Sequence, residues 1–343
     1  MRKFSLLMAL ICVFSLTACT KNQRQEEIEA LSSEYAVPED NQLILYTSHK
    51  EEVYLPIVRE FESRTGIWVD VHAGGTAEMM QEAKEASKVG QCDIMFGGGV
   101  ESYEASKDYF LPYKVTESSV VDANFLDDDY YWTPFTELPI VFVYNKSLVT
   151  ASLAPQTWSD LFDDDWKGKI AFADMEKSGT SYTIISTMAQ IFNEEPVDVL
   201  NLFFNQLDAN ILASSGDVIT QVAKGDCLIG ITLEETALKA IDAGNNIGMV
   251  IPNDGTSALP DGIAMLKNAP HSYNAGKFID FVVSRDTQSY AMSQFNRRSV
   301  RLDITLTPKF EEITLIDFDI KKSAQDEESV LARWKQLMEE DDE

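Results

Sequence analysis

Basic residues are in short supply. Lys and Arg together number 28 against 56 Asp and Glu, a formal charge of −28 on 343 residues. Nucleic-acid binding rests on clusters of Lys and Arg that neutralise phosphates, and the chain has no basic stripe, so that class of partner is set aside. An acid surplus of this size reports on solubility and says little about fold. Histidine is rarer still: His49, His72 and His271 are the full set. No Gly-x-Ser-x-Gly elbow, His-Glu-x-x-His helix or phosphate-loop lysine motif occurs, and Ser178 has no evident paired base, so enzyme readings fare badly. His72 falls at a strand end and reads as structural, and His271 opens a helix. Neither a cofactor nor a bound metal is expected.

What is there begins at the N-terminus. Met1-Arg2-Lys3 is a short basic start, and residues 4–18 form an apolar run that closes on small residues. That is the pattern of a secretory signal peptide, too short to span a bilayer as a mature helix. Leu16-Thr17-Ala18-Cys19 resembles the bacterial lipobox, which implies lipidation of Cys19 and a membrane anchor through that lipid. Residues 19–41 are polar, without a strong apolar period, and read as a tether that lets the folded part stand off the membrane. With Cys12 in the leader and Cys19 lipidated, Cys92 and Cys227 remain. They fall in different halves of the chain and are expected to be buried free thiols.

From Leu43 the pattern alternates strand and helix. Strands are expected at 43–46, 67–71, 92–96, 139–144, 170–173, 227–231, 247–251 and 262–266. Helices are expected at 51–64, 76–88, 180–192, 197–208, 216–224, 235–243, 271–284 and 286–294, with a C-terminal amphipathic helix near 327–339. Strands alternating with helices, and strands that read as near-continuous apolar runs, imply an α/β protein with mostly parallel sheets covered on both faces. A chain this long holds two cores. The division expected is residues 42–137 with 260–343 as a discontinuous first lobe and 138–259 as the second, with crossings near 135–140 and 255–262. One internal echo, ASKVGQCDIMFG at 86–97 and VAKGDCLIGIT at 222–232, hints at two lobes built alike.

Ligands of such sheets sit beyond the carboxyl ends of the strands, where the following helices point their N-termini. Three places combine a strand end, small residues and a helix start: Thr47-Ser48-His49, Gly97-Gly98-Gly99 and Ser178-Gly179-Thr180-Ser181, the last following Asp174. Free backbone N–H groups at a helix start and side-chain hydroxyls hold phosphate or carboxylate without Lys or Arg. Glu234 and Glu235, at another strand end, offer carboxylates to sugar hydroxyls or an ammonium group, or serve as solvated helix-start acids. Asp261 reads as a turn residue. Asn296-Arg297-Arg298-Ser299-Val300-Arg301 is the sole basic cluster; it reads as a surface patch, a contact for a permease or the other lobe, or a cleft-mouth attractor. Tyr130-Tyr131-Trp132 is expected to pack between the lobes.

The run VYNKSLV followed by APQTWSDLFDDDWKGKIAFADMEKSGTSYT, together with LILYTSHKEEVYLPIVREFESRTGIWVDV and PNDGTSALPDGIAML, resembles the extracellular solute-binding proteins that serve ferric-ion, phosphonate and hexose-phosphate importers. The resemblance implies a two-lobed, hinged, type II periplasmic-binding-protein fold. It implies a monomeric, extracytoplasmic subunit of an ABC importer, with a permease and an ATPase as partners. The ferric binders use a histidine near the first strand, a carboxylate after the third and a tyrosine pair in the second lobe. His49 matches the histidine, but Gly98-Gly99 and Leu233-Glu234-Glu235 stand where the others would be, which counts against Fe³⁺. The glycine run and the Ser-Gly-Thr loop look instead like relatives that bind organophosphates, so the expected solute is a small phosphate-bearing anion. The expected ligand set is Thr47, Ser48, His49, Gly98, Gly99, Asp174, Ser178, Gly179, Thr180, Ser181, Glu234 and Glu235. A polyamine or other cation binder, and a sensor or adhesion lipoprotein without transport, are the rival readings.

Overall fold

In the computed structural model, residues 37–208 and 210–341 are described. The expected signal peptide, the lipidation site Cys19 and most of the expected tether lie outside them. The chain runs through β1 (Gln42–Thr47), α1 (Glu51–Thr65), β2 (Trp68–Ala73), α2 (Thr76–Lys88), β3 (Ile94–Gly99), α3 (Val100–Glu104), β4 (Phe110–Leu111), β5 (Thr133–Glu137) and β6 (Ile140–Asn145). It continues through β7 (Ile170–Ala173), α4 (Gly179–Phe192), α5 (Pro196–Leu207), β8 (Ile211–Leu212), α6 (Asp217–Lys224), β9 (Ile229–Leu233), α7 (Glu234–Asp242) and β10 (Ile247–Val250). Then come β11 (Pro260–Leu266), α8 (Ser272–Val282), α9 (Arg285–Phe295), β12 (Arg298–Ser299) and α10 (Ile320–Asp341).

Local sequence explains these elements. In α1 the residues Val53, Ile57, Val58 and Phe61 recur at helical spacing and are the buried face, while Gly66 closes the helix at φ +71° with its N–H on the Glu62 carbonyl. Ser178 caps α4 by accepting from the Ser181 N–H, and Asn193 ends that helix in the left-handed region.

The strands form two sheets. One has the order β12-β5-β11-β3-β1-β2, with β4 added beside β11; the other has β10-β6-β9-β7-β8. Each is mixed rather than mostly parallel. In both, a parallel half (β1 with β3, β7 with β9) meets an antiparallel strand that has crossed from the other lobe (β11 against β3, β6 against β9). The order β2-β1-β3-β11-β5 in the first sheet therefore repeats as β8-β7-β9-β6-β10 in the second. The strands that follow Cys92 and Cys227, β3 and β9, hold equivalent places in this repeat, and both thiols are free and buried.

Two crossings fall at 138–139 and 251–259. Their backbones are laid together, with the Ile140 N–H on the Ser257 carbonyl at 3.1 Å and Thr256 Oγ1 donating to the Ile140 carbonyl at 2.8 Å. A third crossing was not foreseen. Residues 300–319 return along the second one, with the Thr256 N–H on the Thr314 carbonyl at 3.0 Å and the Ile316 N–H on the Thr256 carbonyl at 3.1 Å. They deliver α10 to the second sheet, where Val330, Trp334 and Leu337 join a core with Trp158, Phe172 and Phe203. The C-terminal helix thus completes the second core from Val330 onward, while its start at Ile320 packs against the first lobe, so residues 260–343 do not belong to the first lobe alone as expected. Its amphipathic pattern identified a buried face without identifying the partner. Trp132 is likewise buried inside the first lobe, with Met79, Tyr103 and Phe110, rather than between lobes.

Candidate ligand site in the cleft

The carboxyl ends of β1 and β3 face the starts of α4 and α7 across a cleft of about 440 Å³. From the first lobe come Ser48, His49, Gly98 and Gly99; from the second come Ser178, Gly179, Thr180 and Glu235. Eight of the twelve residues expected to bind ligand are therefore brought together.

The glycine run is shaped by its neighbours. Gly97 and Gly98 have φ of +98° and +85°, which L side chains rarely adopt. A Cβ on Gly98 would stand 2.5 Å from Thr76 Cγ2, and one on Gly97 would stand 2.9 Å from Ser48 Oγ. Bare backbone is required because Ser48, Thr76 and the strand end converge there. On the facing side Gly179 has open space around it, and the first turn of α4 presents Ser178, Gly179 and Thr180. The starts of α2 and α4, helices of 13 and 14 residues, thus border one cavity from opposite lobes.

Four expected residues do not reach the cavity. Thr47 is fully buried, its Oγ1 donating to the Phe96 carbonyl at 2.8 Å. Asp174 accepts from Trp334 Nε1 at 2.9 Å and pairs with Lys177 at 2.9 Å, so it fastens α10. Ser181 is buried within the first turn of α4. Glu234, 1% exposed, takes a bidentate pair of hydrogen bonds from Arg298 at 2.6 and 2.8 Å. Buried carboxylates of this kind are committed to their partner and unavailable to a ligand.

Among the lining residues that were not expected are Asp261, Arg297, Thr76 and Glu101. Asp261 is not a turn residue but a buried one on β11, accepting from the Thr136 N–H and Oγ1 at 2.9 and 2.8 Å and from Arg297. Arg297 lies at the cleft floor, buried, and Arg298 and Arg301 are buried too, so the basic cluster is no surface patch. Thr76 opens α2. Glu101 lies almost fully buried on α3 and accepts from Thr183 Oγ1 of α4 at 2.8 Å, a hydrogen bond from lobe to lobe. The convergence of side chains from opposite ends of the chain at 136, 261 and 297 leaves no local signal; the Pro-Asp-Gly run at 260–262 masks a strand start as a turn.

Burial sets the charge states. His49 Nε2 stands 3.4 Å from Asp261 Oδ2, yet burial, reinforced by Arg297 and opposed by Asp261, holds the imidazole down to about 4. It is neutral at pH 7. Burial pushes the Glu101 and Glu327 carboxyls upward, and pushes Glu137, beside the hinge, up to about 7. Among the described residues no group of three His, Cys, Asp or Glu side chains is placed to hold a metal ion.

Two sheets of repeated strand order, joined by crossings and enclosing a cleft lined by strand ends and helix starts of both lobes, define a bilobal ligand-binding protein of the periplasmic-binding type. The chain belongs to the bacterial extracellular solute-binding protein family, whose model matches residues 56–316. It is similar to a periplasmic protein of Salmonella typhi named for 2-aminoethylphosphonate binding, at 25% identity over 71% of this chain and 73% of that one. It is also similar to iron uptake protein A1 of Synechocystis sp., at 23% identity over 74% of each chain. The periplasmic binding protein AfuA of Actinobacillus pleuropneumoniae, solved with fructose-6-phosphate bound, superposes with a TM-score of 0.77 at 22% identity, over 87% of this chain and 98% of that one, which shows the fold. The chain is a solute-binding subunit of an ABC importer, a transport protein and not an enzyme, working with permease and ATPase partners. Among the described residues no helix is long and apolar enough to cross a membrane.

Proposed function

We propose that this chain is a lipid-anchored, extracytoplasmic subunit that captures a small phosphate-bearing solute, an organophosphate such as a hexose phosphate or a phosphonate, by closing its lobes. One observation carries the reading: the starts of α2 and α4 border the same cavity from opposite lobes, with Gly98 leaving the backbone bare between Ser48 and Thr76. Helix-start N–H groups and hydroxyls match phosphoryl oxygens, which accept hydrogen bonds and carry the charge that the helix dipoles favour. In this reading Ser48, Gly98, Gly99, Ser178, Gly179 and Thr180 hold the phosphoryl group, and His49 and Glu235 meet the rest of the solute. Contacts from both lobes stabilise the closed form, which the permease then recognises.

A second reading has its own observation. Glu52, Glu101, Glu235 and Glu327 also line the cleft, and such an acidic wall suits a cation such as a polyamine. Titration calorimetry with glucose 6-phosphate, 2-aminoethylphosphonate and spermidine separates the two. The phosphate reading expects heat from an organophosphate and its loss, by about 10-fold or more in affinity, in the double variant Ser178→Ala/Thr180→Ala. Unchanged organophosphate affinity in that variant, or binding of spermidine alone, would sink it. The anchor is tested separately: replacing Cys19 with Ala is expected to release the protein from membranes.

A further inference from the structure

The Arg297 guanidinium has hydrogen-bonding capacity that the protein does not use. Its Nη1 donates to Asp261 and, at 3.2 Å, to Thr136 Oγ1. Its Nη2 lies 3.9 Å from Glu235 Oε1, beyond hydrogen-bonding reach. Its Nε is buried and has no partner among the described residues, and the same holds for Nε2 of the adjacent His49. Both side chains are more than nine-tenths buried and both line the cleft. A buried polar atom left unpaired is costly, most of all on a charged group, so two such atoms on residues that line one cleft mark a place where a ligand completes the pairing.

Lobe membership gives the arrangement a direction. Arg297, Asp261 and His49 all belong to the first lobe, and Asp261 holds Arg297 there while itself held by Thr136. Glu235 sits on α7 of the second, with Oε1 also accepting from Thr236 Oγ1 at 3.1 Å. Lys50, Lys177 and Lys239 are the other cations of the lining; Lys177 is tied to Asp174 and Lys239 to Glu52. Arg297 is the buried one, and its planar fork suits an oxyanion.

We infer that Arg297 is the specificity-determining cation of this cleft: an anionic group of the solute takes the Nε and Nη2 face of the guanidinium in competition with Glu235, with His49 beside it. The inference rests on the reading of the solute as an anion. It adds that selection for negative charge is made by one arginine poised between two carboxylates, Asp261 which holds it and Glu235 which competes for it. Toward the anionic group Glu235 thereby acts as an internal competitor, alongside the contact it makes with the rest of the solute.

The test is calorimetry on the full chain with inorganic phosphate, glucose 6-phosphate and 2-aminoethylphosphonate. Arg297→Lys keeps a positive partner for Asp261 but loses the fork, and should weaken whichever anion the parent protein binds by about 10-fold or more. Glu235→Gln removes the competing charge from a partly exposed position and should tighten the same anion by about two- to fivefold. Anion affinity within about twofold of the parent in Arg297→Lys, or unchanged or weaker binding in Glu235→Gln, would overturn the inference. Should Arg297→Lys fail to melt cooperatively, Glu235→Gln decides alone. If both variants respond as expected while Ser178→Ala/Thr180→Ala changes nothing, Arg297 stands and the helix-start cradle falls. If the parent protein binds none of the three anions, both fall.

Discussion

The two lobes share one strand order and finish it by different means. In the first, β3 runs into Gly97-Gly98-Gly99 and its end is open backbone beside Ser48 and Thr76. In the second, the equivalent β9 runs into Glu234, a side chain locked onto Arg298. Equivalent places in a repeated fold therefore serve different ends: one makes room for a ligand, the other ties the second lobe to the first. The cores differ in the same sense. The first sheet is covered by helices close to it in sequence, α1, α8 and α9, whose apolar faces join Leu43, Phe96 and Ile263. The second sheet borrows Val330, Trp334 and Leu337 from the far C-terminus.

The sharpest way to break this comparison is to remove the borrowed part. Trp334→Ala deletes a fully buried indole that also donates to Asp174, and should destabilise the protein by about 3–5 kcal/mol, read from urea unfolding. Loss of less than about 1 kcal/mol would mean the second core stands without α10.

A smaller effect separates the two cradles. Gly98→Ala places a Cβ against Thr76 in a backbone that disfavours it, and should cost about 1–3 kcal/mol and abolish ligand binding. Gly179→Ala, in open space, should change stability by no more than about 0.5 kcal/mol. Equal effects would erase the distinction between a packed cradle and an open one.

A third effect is on pH dependence. The unfolded chain protonates His49 near 6.5 and the folded one only near about 4, so stability should fall as pH drops through that window, because the unfolded state takes up the proton first. Glu137 acts oppositely: its folded form holds a proton up to about 7 against 4.5 when unfolded, so its contribution is lost as pH rises between those values. Melting temperatures of His49→Gln against the parent between pH 4 and 7 should show a shallower acid limb in the variant. An unchanged acid limb would assign the slope elsewhere.

Much of the fold is legible in the sequence. Residues 170–173 and 76–88 match their strand and helix at both ends, since apolar runs and helical spacing report local structure directly. Ser48, Gly98, Ser178 and Thr180 are legible as cleft residues because strand ends followed by small residues and a helix have one geometric meaning in such sheets. Glu234 and Glu235 look alike in sequence, both acids at a helix start. A rotation of 100° along the helix sends one into a buried pair with Arg298 and leaves the other in the cleft. Thr136, Asp261 and Arg297 meet only because three separate segments pass the hinge, and no local pattern records that meeting.

The course of α10 has a consequence for how the molecule comes into being. Because α10 closes the hydrophobic interior of the second lobe, that interior cannot be sealed until residues 320–341 have left the ribosome. A message cut short before residue 320 would yield a protein with an intact first sheet and a second one showing bare Phe172 and Phe203 to water, a target for proteolysis rather than half of a working receptor.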